Sequence, residues 1–143
     1  CQKTWEDSPY GREKDFYGTS NNNRNAMTTD GTARIMEEIM QNIIFDEKNI
    51  NLKNCLFRQI KEQSQDKDAN DQINGFLGEG LPQNIPFWSK AGLMSEARND
   101  VAWWINKNQS KTLLVVFTEG KEFANDNNFL PEFSKAIYEF IHS

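Results

Sequence analysis

The sequence predicts an α/β (α+β) fold, an antiparallel sheet with flanking helices, and three observations predict it. Residues 86–118, PFWSKAGLMSEARNDVAWWINKNQSKTLLVVFT, contain three short runs rich in β-branched and aromatic residues at 87–94, 101–105 and 113–117. Polar turns at Ser95-Glu96-Ala97 and at 106–110 separate them, which is the pattern of a meander. Downstream, Phe129, Leu130, Phe133, Ala136, Ile137, Phe140 and Ile141 recur at three and four residues with Pro131 in the first turn, the signature of an amphipathic helix. At 143 residues with 37% hydrophobic and 12% aromatic content, the chain has material for one core and no more than one domain.

Taken in order, residues 1–28 are polar and rich in turn formers, including Ser8-Pro9, Gly11, Gly18 and the run from Ser20 to Asn25, and read as a long loop. Thr28 or Thr29 then caps a helix to about Asn42, with Ala33, Met36, Ile39, Met40 and Ile43 as its apolar stripe. A second helix is expected from Asn51 to about Gln63, with Leu52, Cys55, Leu56, Gln59 and Ile60 inward. After a charged turn at 64–70, a short third helix carries Ile73, Phe76 and Leu77 and stops at Gly78 and Gly80. Trp88, Trp103 and Trp104 are expected to fill the core between sheet and helices. Between the meander and the last helix, residues 119–128 read as a polar loop.

Composition narrows the function classes. The 16 basic residues are scattered among 21 acidic ones for a net charge of −5, so no nucleic-acid footprint is present. Two cysteines, Cys1 and Cys55, make no disulfide framework, and with one histidine, His142, no metal site and no cofactor is expected. No apolar run reaches the roughly 20 residues that span a bilayer. Lys90, on a strand expected to be buried, and Arg98, at the start of the next, put two cations near one end of a hairpin, where desolvation is costly without an anionic partner. That arrangement suits a carboxylate ligand.

Several segments resemble one family. Ser89-Lys90-Ala91-Gly92, then Arg98-Asn99-Asp100-Val101-Ala102, then Leu113-Leu114-Val115-Val116-Phe117-Thr118 are similar to the third motif and following strands of class A β-lactamases and related penicillin-recognising serine enzymes. The segments NAMTTDGTARIM (25–36) and INGFLGEGLP (73–82) resemble the family's helix entry and the approach to its lysine strand. The resemblance runs from Tyr10 to the end. It implies the C-terminal portion of a β-lactamase-like domain, with 1–28 as an Ω-loop-like segment, 29–80 as helices, 86–118 as strands and 128–142 as the last helix. In the family the serine nucleophile and the Ser-Asp-Asn loop precede this region, so the resemblance implies amide or lactam acyl transfer with the nucleophile supplied from elsewhere. Either a preceding segment or a second copy is then expected to complete the sheet beside 113–117, an edge strand in this chain.

The resemblance also assigns residues. Lys90 would hold positive potential beside the nucleophile and, with Gly92, bind the substrate; the alternative is a sheet-edge lysine that snorkels to water. Ala91 stands where the family has Thr or Ser and cannot donate the hydroxyl hydrogen bond to the substrate carboxylate. Arg98 partly answers that loss through a bidentate grip, or else forms only a surface pair with Asp100 or Glu96. The two cations share a face only if the turn spans Ser95 to Ala97; a two-residue turn separates them.

Glu13 falls near the position of the family's Ω-loop base, although Gly11 and Tyr17 replace the flanking arginine and asparagine, so a solvated loop carboxylate is the alternative. Ser64-Gln65-Asp66-Lys67 matches S-x-x-K by accident, lacking the apolar flank of a buried helix. Cys1 leaves two readings open, a cut within a longer chain or the lipid-bearing first residue of a mature lipoprotein. The resemblance implies a β-lactam or peptidoglycan-like peptide as substrate and a bacterial periplasmic or extracellular location. A non-catalytic binding module, a penicillin-binding or peptidase-like protein, and an unrelated interaction domain with 113–117 as a central strand are the rival readings.

Overall fold

The structure, a computed structural model, describes residues 26–41, 49–60 and 72–142. Its elements are α1 (Thr29–Gln41), α2 (Asn49–Leu56), β1 (Phe57–Arg58), β2 (Phe87–Met94), β3 (Ala97–Ile105), β4 (Lys111–Val116), α3 (Lys121–Asn125) and α4 (Phe129–His142). The four strands form one antiparallel sheet in the order β1-β2-β3-β4.

The pleat divides the sheet into two faces with different coverings. One face presents Trp88, Lys90 and Gly92 from β2, Asn99, Val101 and Trp103 from β3, and Leu113 and Val115 from β4. Helix α1 lies on it, burying Met36 against Val101 and Trp103, with Met40 and Leu56 alongside. The other face presents Phe87, Ser89, Ala91, Arg98, Asp100, Ala102 and Trp104, and it builds the larger core with Phe76, Leu77, Leu81 and Leu130 of α4. Helices cover both faces of β3, so Asp100 to Trp104 are buried without interruption.

Local chemistry sets the helix ends. The Thr28 hydroxyl accepts from Gly31 N at 3.0 Å, capping α1 as the sequence predicts. Asp126 Oδ1 accepts from Asn128 N at 2.8 Å and Phe129 N at 3.2 Å, which starts α4. Gly80 lies so close to α4 that a Cβ there would collide with the Pro131 carbonyl oxygen.

Three expectations are corrected. The second helix ends at Leu56 rather than Gln63, because Phe57 and Arg58 turn out to pair with Trp88 and Phe87 across the open edge of β2. The Phe57 ring meets Trp88 edge-on at 5.6 Å, a contact that a helical continuation would forfeit. Residues 73–81 form successive four-residue turns instead of a third helix, and Gly75 at φ 73° breaks any helical run. The stretch read as a loop at 119–128 contains the short helix α3. The strand read at 113–117 is β4, and among the described residues it is an edge, as expected. Trp103 and Trp104 are buried and Trp88 is half-buried, also as expected. No described helix is long and apolar enough to cross a membrane.

Candidate functional site

Beside α1, the first face of the sheet opens into a cavity of about 700 Å³. Its polar floor is Lys90, Gly92 and Asn99, and its apolar wall includes Met27, Ile35 and Ile39. Each floor residue is placed by strand register. Lys90 pairs with Val101 and Gly92 with Asn99, so the ammonium, the bare glycine backbone and the carboxamide sit on one face. No atom of the described residues lies within 4 Å of where a Gly92 side chain would be, which leaves the strand backbone open to a ligand on that side.

The Lys90 ammonium donates to the Ala91 carbonyl at 2.6 Å. It has three donors, so two remain for an anion in the cavity. Asn99 is fixed by an acceptor role: its Oδ1 takes the Thr118 N–H at 2.9 Å, which turns Nδ2 outward with no partner among the described residues. Thr118 itself is clamped to Arg98, accepting from its N–H at 3.0 Å and donating to its carbonyl at 2.7 Å. These bonds extend the β3–β4 ladder past Val116 and hold Asn99 in place.

Arg98 does not belong to this site. The turn between β2 and β3 is the two-residue Ser95-Glu96, with Met94 opposite Ala97 and Leu93 opposite Arg98. The expected pairing of Met94 with Arg98 would have needed a third turn residue, and its absence sends the guanidinium to the opposite face. There Arg98 is buried and donates to the carbonyls of Ala124 and Gly75 and to Asn127 Oδ1 at 2.7–3.3 Å, its guanidinium 5.1 Å from the centre of the Phe76 ring. It is neither a partner of Lys90 nor paired with Asp100 or Glu96. Ala91 lines the cavity, but the register puts its methyl on the Arg98 face. Ser89 is also on that face and fully buried, so its hydroxyl cannot serve the cavity as a nucleophile. Glu13, the Ser64–Lys67 match and Cys1 lie outside the described residues.

Behind Lys90 sits Asp100, 1% exposed on the opposite face. Its Oδ2 accepts the Leu77 N–H at 3.1 Å, and Oδ1 has no partner among the described residues. Burial pushes its pKa up to about 7, against the pull of the Leu77 and Val101 N–H groups and of the Lys90 and Arg58 charges. Sequence reading missed both Asn99 and Asp100 as individuals. Period-two alternation from a two-residue turn would have placed both.

The family model of the Beta-lactamase enzyme family (Beta-lactamase2) matches residues 5–141. The chain belongs to the β-lactamase enzyme family. The fold agrees with solved structures at low identity. A β-lactamase from Streptosporangium roseum superposes with a TM-score of 0.65 at 18% identity, over 91% of this chain and 47% of the other. PBP-A does so with a TM-score of 0.61 at 16% identity, over 90% of this chain and 48% of the other. The chain thus spans about half the length of the β-lactamase-like structures it matches. No curated protein matches by sequence.

Proposed function

We propose that this chain forms the substrate-holding wall of a β-lactamase-like serine hydrolase. In that reaction a serine oxygen, contributed from outside the described residues, attacks a lactam or amide carbonyl. The C–N bond breaks as the acyl C–O bond forms, the serine proton passes to the leaving nitrogen, and water later releases the acid. The observation that carries this reading is the alignment of Lys90, Gly92 and the outward Asn99 amide over one cavity of a family member. In it, Lys90 holds positive potential beside the nucleophile, and Lys90 with Asn99 Nδ2 grips the substrate carboxylate in place of Arg98. The substrate is then a β-lactam or a peptidoglycan-like peptide, which fits a bacterial periplasmic or extracellular location. The exposed edge of β4 is where a further strand, from a preceding segment or a second copy, would add.

Intact-mass analysis of the full-length protein after exposure to benzylpenicillin tests this. A covalent adduct equal to the mass of the whole β-lactam is expected, formed at least about tenfold more slowly in Lys90→Ala. Absence of any adduct, with retained affinity for peptidoglycan fragments, would instead support a non-catalytic binding module.

A further inference from the structure

We propose that Asp100, from the back of the sheet, sets how strongly the Lys90 cavity holds the carboxylate of a substrate: as an acid it leaves the Lys90 charge unopposed, and as a carboxylate it offsets that charge. Asp100 touches no substrate and acts through Lys90, as a positioning residue. The inference rests on Lys90 as the anion holder of the function proposed above.

The first observation is the placement of the two side chains across one pair of strands. Asp100 stands opposite Ala91 in the register of β2 with β3, and the Ala91 carbonyl is the group that holds the Lys90 ammonium, at 2.6 Å. Neighbouring strands lie about 5 Å apart, so the carboxyl group and the ammonium flank the same stretch of backbone from its two faces. Both residues border the cavity. Lys90 is exposed there and free to meet a ligand, whereas Asp100 is buried, where a charge is poorly screened.

The second is that its surroundings commit Asp100 to neither charge state. Oδ2 accepts the Leu77 N–H, Oδ1 has no partner, and no cation among the described residues forms an ion pair with it. The charged groups around it come from several elements. Lys90 on β2 and Arg58 on β1 favour the carboxylate, burial favours the acid, and the balance falls at about 7. Arg98, two positions away on the same face, gives its guanidinium to Gly75, Ala124 and Asn127. Glu79 of the turns at 73–81 accepts the Gly75 N–H. On β4 the opposite residue is Val116, and α3 and α4 bury only the uncharged Ala124, Leu130 and Ser134.

The sign follows from linkage. An anion beside Lys90 cancels part of the charge that favours ionised Asp100, and so raises the midpoint of Asp100. A proton on Asp100 must then tighten the anion to the same degree. Affinity for a carboxylate is therefore greatest below the Asp100 midpoint and falls as pH rises through about 7.

The test uses the full-length protein. The side-chain ¹³C carboxyl signal of Asp100, identified by its loss in Asp100→Asn, reports the titration directly, and Lys90→Ala should move its midpoint up by about half a pH unit or more. Acylation rates with benzylpenicillin and with its methyl ester are then taken as a ratio, in which groups that titrate in the reaction itself cancel. From about pH 6 to about pH 8 this ratio should fall about threefold to tenfold in the wild type and stay level in Asp100→Asn. A midpoint unmoved by Lys90→Ala, or a ratio that still falls in Asp100→Asn, would overturn the inference. A midpoint that moves in a protein forming no adduct at any pH would support the coupling and overturn the hydrolase reading alone.

Discussion

Lys90 and Arg98 are separated by eight positions and carry the same charge, yet the sheet treats them in opposite ways. Lys90 is exposed over an open cavity, with one bond to its neighbour's carbonyl. Arg98 is buried and ties β3 to the turns at 73–81, to α3 and to the segment before α4. The charge of a residue says little about its role until the parity of the preceding turn is known. On the function proposed above, the Lys90 face meets a ligand while the Arg98 side chain holds the fold together, and each can be disturbed separately.

The largest effect is expected on the holding face. Arg98→Ala leaves the Gly75 and Ala124 carbonyls without their donor, and should lower stability by about 3–5 kcal/mol in urea unfolding. Arg98→Lys should recover only part of this, because an ammonium cannot serve acceptors in three directions of one plane. If Arg98→Ala instead slowed acylation with unchanged stability, the division between the two faces would collapse.

Asp100 sharpens the comparison through pH. Its folded-state pKa lies above the unfolded value, so the native state holds the proton more tightly and its contribution is fully present below about pH 4. That contribution is lost as pH rises through about 7, a fall of about 3 kcal/mol between the two. Asp100→Asn should flatten this part of the stability profile. An unchanged slope in the variant would mean that another group governs it.

On the ligand face the effects should be kinetic. Asn99→Ala is expected to slow acylation by a carboxylate-bearing β-lactam about tenfold, with far less effect on its methyl ester. Equal slowing of acid and ester would remove the carboxylate role from Asn99.

The last comparison sets two glycines side by side. Gly75→Ala places a Cβ 2.6 Å from Arg98 Nη1 at a positive φ and should cost about 1–3 kcal/mol. Gly92→Ala meets nothing within 4 Å among the described residues and should stay within about 0.5 kcal/mol of wild type in thermal unfolding, while crowding the ligand's approach. A Gly92→Ala protein as unstable as Gly75→Ala would show that β2 is not open to the cavity.

The sequence by itself determined the meander, the amphipathic helices α1 and α4 and the tryptophan core, because hydrophobic periodicity and capping residues are local signals, whereas the edge position of β4 followed from the resemblance. Resemblance added the family through Lys90, Gly92 and their neighbours. Only the tertiary structure decided the rest. The end of α2 at Leu56 depended on a free strand edge beside Phe57 and Arg58, and the fate of residues 73–81 on the core they had to reach. The partners of Arg98 lie 23 to 29 residues away, where no local pattern reaches. Whether Arg98 joined Lys90 turned on one residue of turn length, since in a pleated strand a shift of one exchanges the two faces.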